Sequence, residues 1–196
     1  MGCYSILLFC IYKELIEINL KWYAINKKYV EYLRKADNRV QYINYYKQFK
    51  PYIGIILHIS NFNYYVPISS VGNKIHKIEK YSKMKDDIDL FKIYDKNKNL
   101  IAVLNINNMI PVNDKYIEEI KYNDIDKYRS FKNDQEKKKY IYLLQTELSY
   151  LRKNVEVISN KAEKLYYIKK NKPLSRIAKR TCDFNILEKK CNEFYN

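Results

Sequence analysis

The chain has 196 residues, of which 47% are hydrophobic, and its 37 Lys and Arg against 22 Asp and Glu give a net charge of +15. This length suits one domain with enough apolar residues for a core. The charge favours a polyanionic partner, either nucleic acid or an anionic membrane surface. The four cysteines show no CxxC spacing and there are only two histidines, so neither a zinc site nor a disulfide framework is expected. The predicted compartment is a reducing cytoplasm, and no metal or other cofactor is predicted.

Residues 1–19 begin with an apolar stretch, MGCYSILLFCIY, which lacks a positively charged leader and is too short to span a bilayer. Glu14 and Glu17 follow it closely. A secretory signal and a stable membrane association are therefore not expected. We interpret residues 1–19 as an N-terminal appendage, and residues 20–196 as a single domain.

The first elements of that domain follow from local pattern. Residues 20–25 (LKWYAI) predict a short strand, and Asn26 can cap the helix KKYVEYLRKAD that follows. The β-branched run at residues 52–60 predicts a buried strand, and NYYVPIS predicts its hairpin partner. Pro67 has no amide hydrogen, so we expect that second strand to lie at a sheet edge or to end there. The polar stretch after it is then a loop, a common position for functional groups.

A second hairpin is predicted from DLFKIY and NLIAVLNI on either side of DKNKN, and MIPV adds one more strand. Together with the first hairpin these strands predict an α+β fold, in which a twisted antiparallel sheet of five to six strands packs against helices. Most of those helices are expected in the C-terminal part of the chain.

The C-terminal half predicts long helices. Apolar residues alternate spacings of four and three in one stripe: Leu144, Leu148, Leu151, Val155, Ile158, Ala162 and Leu165. Asn133 with Glu136 resembles a capping box at the start of this helical stretch. Asn160 with Glu163 resembles a second one, at which the helix could restart. Pro173 ends this stretch, and a last amphipathic helix is expected around residues 174–194.

Positive charge is concentrated in this half. Residues 137–190 contain fifteen Lys and Arg but only five Asp and Glu. The 22 tyrosines add flat rings, which together with cations suit unstacked RNA bases and phosphates, although most of them are expected in the core. The predicted RNA-binding residues are Lys21, Lys153, Lys161, Lys164 and Lys170.

Five segments in order carry a resemblance: KWYAINKKYVEYLRKAD, FKPYIGIIL, YYVPISS, NINNMIPV and LSYLRKN…NKAEKLY…CDFNILE. They resemble the ToxN/AbiQ toxins of type III toxin–antitoxin and phage abortive-infection systems. The resemblance implies an endoribonuclease with a fold similar to that of the MazF/Kid toxins, which cleaves RNA without metal and leaves a 2′,3′-cyclic phosphate. It also implies a small antitoxin RNA of pseudoknot repeats. The toxin cuts these repeats from a precursor RNA and assembles with them into rings. Its other implied substrates are cellular or phage RNA.

The resemblance also implies site residues. Ser69 and Ser70 match the family's hydroxyl pair, and His76 keeps its place shortly after them. Lys74 matches the family lysine only if the loop at residues 71–73 is slightly longer than usual.

Upstream, Tyr46 and Lys50 match a tyrosine followed four residues later by a lysine. Family members tend to begin at the equivalent of LKWY, which is why Leu20 is a candidate native start.

Such a site needs no activated triad, because the nucleophile is the ribose 2′-OH of the RNA. Lys50 and Lys74 can supply cations, while Ser69 and Ser70 can hold phosphate oxygens or orient the 2′-OH. The remaining two candidates, Tyr46 and His76, are proton-transfer groups whose acid and base roles stay open.

Other interpretations compete with a nuclease. The serines can simply end a strand, and the longer loop at residues 71–73 can have disabled the site, which leaves a non-catalytic RNA-binding module. A membrane-associated protein anchored by residues 1–19 is the third alternative, weakened by the poor anchoring that one short apolar segment gives. His58, inside a strand, is expected to be a packed or surface-facing side chain.

Overall fold

The computed structural model describes residues 20–41, 50–72 and 74–194. The first half of the chain forms most of the sheet, and its elements are β1 (Lys21–Ile25), α1 (Lys27–Ala36), β2 (Tyr52–Ile59), β3 (Phe62–Ser70), α2 (Ile75–Lys83), β4 (Phe91–Tyr94), β5 (Leu100–Leu104), β6 (Ile110–Val112) and β7 (Ile117–Glu119). The second half is helical: α3 (Asp134–Lys153), α4 (Val155–Asn171), α5 (Arg176–Lys179) and α6 (Phe184–Glu193). The predicted α+β class is confirmed. Residues 1–19, and with them the predicted appendage, lie outside the described residues.

All strand pairs are antiparallel, in the order β4-β5-β3-β2-β1-β7, with β6 also paired to β3. Both predicted hairpins are present, β2 with β3 and β4 with β5. The sheet therefore has seven strands, and β7, a three-residue strand on β1, was not predicted.

β3 is an interior strand, so the expectation that Pro67 marks an edge or an end is wrong. The strand continues through Pro67 to Ser70, with β2 along one side. Along the other side β6 pairs with residues 63–65 and β5 with residues 68–70. The Pro67 carbonyl accepts from the backbone N–H of Asn105, which shows that Pro67 faces the junction between β6 and β5. No ladder bond is required there, so a missing amide hydrogen is tolerated.

The long helical stretch is divided at Asn154. The cap predicted at its start is confirmed, because Asn133 Oδ1 accepts from the Glu136 N–H (2.9 Å). The return contact differs from that of a capping box: Glu136 Oε2 accepts from the N–H of Lys132 (2.8 Å), the residue before the cap. Asn154 ends α3 and precedes α4, so the restart predicted at Asn160 is wrong. The expected last helix is instead two helices, α5 and α6, which Ser175 and Asp183 cap.

The predicted apolar stripe packs into the core. All its members are buried except Val155, which is half-buried. Trp22 of β1 lies beneath α3 and donates from Nε1 to the Leu144 carbonyl at 3.1 Å. Several tyrosines are core residues as expected. Two of their hydroxyls, those of Tyr64 and Tyr166, both donate to Glu188 Oε1 at 2.7 Å. Over the described residues, none of the helices combines the length and the apolarity needed to cross a membrane.

Candidate active site

The site lies at the C-terminal end of β3, where Ser69 and Ser70 are adjacent. Successive strand residues point to opposite faces of a sheet. Ser69 Oγ accepts from Lys50 Nζ at 3.2 Å and from Asn105 Nδ2 at 3.0 Å. Ser70 Oγ lies 3.0 Å from Glu147 Oε1 of α3. The two hydroxyls therefore engage different partners, and both serines remain partly exposed.

Lys50, one of the two lysines proposed from the sequence as cations of the site, is in direct contact with Ser69. It immediately precedes Pro51 and β2, and its Nζ also donates to Gln41 Oε1. Burial, and secondarily the positive charge of Lys77, lower the pKa of Lys50 from 10.5 to about 8. Near neutral pH this amine therefore exists in both protonated and neutral forms.

A set of side-chain amides holds Lys50 and Ser69 in place. Asn105, buried, donates from Nδ2 to the Pro67 carbonyl at 3.3 Å as well as to Ser69. Asn108 accepts at Oδ1 from Gln41 Nε2 at 2.6 Å and donates from Nδ2 to the Arg39 carbonyl at 2.9 Å. The motif NINNMIPV thus supplies supports for the site, a role that sequence reasoning missed.

The turn after β3 brings a second lysine to the site. Gly72 has φ of +56°, a conformation that favours glycine, and α2 begins shortly afterwards. From α2, Lys77 Nζ donates to the Ser70 carbonyl at 3.4 Å. Burial and the charges of Lys74 and Lys80 lower the pKa of Lys77. Lys77 was not predicted. The sequence feature that could have indicated it is its position three residues after Lys74, at the start of an amphipathic helix.

Among the described residues, two other predicted catalytic residues, Lys74 and His76, make no hydrogen bond to either serine. Lys74 precedes α2 and is exposed, and its charge reaches Lys77. His76 is exposed on α2. Tyr46 lies outside the described residues. His58 is exposed beside Asn63, with 2.7 Å between His58 Nδ1 and Asn63 Oδ1, in line with the surface-facing expectation.

The predicted RNA-binding lysines divide into two groups. Three have intramolecular partners: Lys21 pairs with Glu119 (2.7 Å), Lys170 with Glu188 (3.3 Å), and Lys161 with Asp86 (2.6 Å). Lys161 also donates to the carbonyls of Asp87 and Leu90, so it fastens the segment before β4 to α4.

Lys153 and Lys164 are exposed on α3 and α4. A cleft of about 560 Å³ runs between β1, the segment after β7 and α3, and both Lys21 and Lys153 line it together with Lys121 and Arg152. Two of the predicted RNA-binding residues therefore share this cleft.

Fold and site together define an α+β protein in which two lysine ammonium groups lie at a strand end beside two adjacent serines, an arrangement suited to a phosphate group. A family model described as "Toxin ToxN, type III toxin-antitoxin system" matches residues 21–192. The chain therefore belongs to the ToxN family of type III toxin–antitoxin toxins.

Individual relatives agree with this assignment. The chain is 30% identical to the endoribonuclease ToxN of Bacillus thuringiensis subsp. kurstaki over 90% of this chain and 84% of that one. It is also 30% identical to the endoribonuclease AbiQ of Lactococcus lactis subsp. lactis, over 91% of each. A solved type III toxin structure, described in terms of selective toxin inhibition by a non-coding RNA pseudoknot, matches with a TM-score of 0.70 at 28% identity over 89% of this chain and 97% of that one. The predicted family and the predicted enzyme class, endoribonuclease, are confirmed.

The lowered pKa of Lys50 predicts a pH-dependent contribution to stability. Between about pH 8 and 10.5 the folded state binds fewer protons at Lys50 than the unfolded state, so the contribution of Lys50 to the free energy of unfolding rises with pH through this window. Urea unfolding of wild type and Lys50→Met should show the difference between them growing in favour of wild type from pH 8 to 10.5. The exposed Lys96→Met is the matched control, with a difference expected to stay constant. A constant difference for Lys50→Met would contradict the burial argument.

Proposed function

We propose that this endoribonuclease cleaves RNA without a metal ion, by attack of a ribose 2′-OH on the adjacent phosphorus at the end of β3. The attack forms the 2′-O–P bond, the P–O5′ bond breaks, and the products end in a 2′,3′-cyclic phosphate and a 5′-OH. The observation that carries this proposal is a pair of lysine contacts at the end of β3. Lys50 Nζ donates to the Ser69 hydroxyl, and Lys77 Nζ donates to the Ser70 carbonyl. The same observation favours an intact site over a binding module with a disabled one.

Charge stabilisation is the main task of such a site. The pentacoordinate phosphate carries more negative charge on its oxygens than the substrate does, and fixed ammonium and hydroxyl donors stabilise that charge. Lys50 and Lys77 supply ammonium groups, while Ser69 and Ser70 supply hydroxyls that hold phosphate oxygens or orient the 2′-OH. Since these groups are held by the sheet and by the amides around Lys50, little reorganisation is needed on binding.

Two protons must move: one leaves the 2′-OH and one reaches the 5′-oxygen. Lys50, with a pKa of about 8, can exchange a proton near neutral pH, which adds it to the predicted proton-transfer groups Tyr46 and His76. Lys74, exposed beside Lys77, adds positive charge to the entrance of the site.

The proposed partner is an antitoxin RNA of pseudoknot repeats, which the enzyme releases from its precursor and which inhibits it within a closed ring of toxin and RNA. A net charge of +15 and a relative inhibited by a non-coding RNA pseudoknot support this partner. AbiQ is described as an anti-phage endoribonuclease, and we propose the same role here, with cellular or phage RNA in the cytoplasm as substrate.

Expression in a host without antitoxin tests the cleavage chemistry. Wild type should arrest growth, and co-expressed upstream DNA with its expected short tandem repeats should restore it. Ser70→Ala and Lys50→Ala should each lower cleavage by about 10²-fold or more, because each removes a donor to the transition state. Fragments should end in a cyclic phosphate, and EDTA should leave the rate unchanged.

Two exposed residues serve as controls for that experiment, Ser130→Ala and Lys96→Ala, and both should remain toxic. Fragments ending in 3′-OH, or cleavage abolished by EDTA, would contradict the proposed chemistry. A harmless wild type that binds RNA tightly would favour the binding module.

Salt dependence tests the RNA-binding lysines. The logarithm of affinity for single-stranded RNA should fall linearly with the logarithm of salt concentration, by about 0.7 per neutralised phosphate. Lys153→Gln and Lys164→Gln should each reduce this slope by about that amount. Lys161→Gln should reduce it less, because Lys161 already contacts Asp86 and two carbonyls. Filter binding from 50 to 300 mM salt (roughly the useful range) measures this, and an unchanged slope for Lys153 and Lys164 would remove them from the interface.

A further inference from the structure

Glu147 is a buried acid without a role in the cleavage steps proposed for the lysines and serines. It lies on α3 with none of its surface exposed. Its Oε1 is 3.0 Å from Ser70 Oγ, and its Oε2 has no hydrogen-bond partner among the described residues. A buried carboxyl group with a single partner is costly to the fold. Such a group at one of the two site hydroxyls therefore calls for a functional reason.

No positive side chain in the described part of the chain forms an ion pair with Glu147. The titratable groups that face it are the phenols of Tyr122 and Tyr140. Burial accordingly raises the pKa of Glu147 to about 8, although the contact with Ser70 lowers it. Full burial without a cation partner among the described residues favours the protonated form, and a protonated carboxyl group has one O–H to donate.

The protonation state of this carboxyl group decides which way the Ser70 hydrogen points. A carboxylate can only accept, so it would take the Ser70 hydrogen for itself. A protonated carboxyl group can donate to Ser70 Oγ, and the Ser70 O–H is then available on the exposed side of the residue.

We propose that Glu147 is a positioning residue: its protonated carboxyl group donates to Ser70 Oγ, so that the Ser70 O–H is directed at the phosphate that is cleaved. This inference rests on the proposed function of Ser70 as a donor to a phosphate oxygen. Glu147 itself does not touch the RNA; it acts through Ser70.

Two substitutions separate this role from a structural one. Glu147→Gln keeps a donor, because the amide N–H replaces the carboxyl O–H, whereas Glu147→Leu removes it and leaves an apolar side chain of similar size. Glu147→Leu should fold, since it replaces a buried polar group by an apolar one on an apolar stripe. Thermal unfolding of each variant checks this, and exposed Glu163→Gln on α4 is the matched control for the loss of an acid.

A double-mutant cycle with Ser70→Ala tests the proposal, with cleavage of a short RNA as the readout. In the wild-type background Glu147→Leu should lower kcat about tenfold with little change in KM, and Glu147→Gln should stay within about threefold of wild type. In the Ser70→Ala background neither substitution should change the residual rate by more than about twofold.

Three outcomes would overturn the proposal: equal losses in both backgrounds, a fully active Glu147→Leu, or a Glu147→Gln as impaired as Glu147→Leu. If Glu147→Leu does not fold, Glu147→Met, which also lacks a donor, takes its place in the cycle and is judged by the same criteria. The terminal groups of the RNA products are determined in parallel, and they test only the proposed cleavage chemistry. Products without a cyclic phosphate would reject that chemistry while the rate ratios still judge Glu147.

Discussion

An ammonium group that is partly removed from water needs compensating hydrogen bonds, and Lys50 finds them at Gln41 and Ser69. The rest of the site depends on this contact. It joins the residue that enters β2 to the end of β3, and through Gln41 it reaches the segment before β6. The same burial lowers the pKa of Lys50 to about 8, which gives the amine a chemical use in addition to its charge.

The position of β3 explains why its end can hold reacting groups accurately. Strands pair with it on both sides, so its backbone is fixed up to Ser70. Ser69 is supported by the amide of Asn105, and Ser70 by Glu147 on α3. A turn through Gly72 then starts α2, which returns Lys77 to the Ser70 carbonyl. Most of the candidate site side chains thus project from regular elements or from segments held by hydrogen bonds, which favours a precisely held site.

Local chemistry determined which parts of the fold were predictable. Caps at Asn26 and Asn133, and both hairpins, follow from neighbouring residues and were right. The prediction from Pro67 was wrong because a proline fits an interior strand when its missing amide hydrogen faces a gap between neighbouring strands. Here that gap lies between β6 and β5, and only the assembled sheet determines its position. The short strand β7 has three residues, two of them charged, and carries too little pattern to be recognised.

The site was predictable only in part, for a similar reason. Resemblance proposed Ser69, Ser70 and Lys50 as candidate site residues, and the structure places Lys50 on Ser69. Asn105 and Glu147 act across separations of 36 and 77 residues, which no local pattern reports. A signal for Glu147 nevertheless existed: it lies three residues after Leu144 and four before Leu151, on the apolar stripe itself.

The most direct measurement of the central claim is a crystal structure with a short RNA whose cleavage-site ribose carries a 2′-deoxy substitution, so that it binds without reacting. Our account predicts phosphate oxygens of that nucleotide within hydrogen-bonding distance of Lys50 Nζ and of the Ser69 or Ser70 hydroxyl. RNA bound with its backbone elsewhere, and Lys50 still joined only to Gln41 and Ser69, would contradict it.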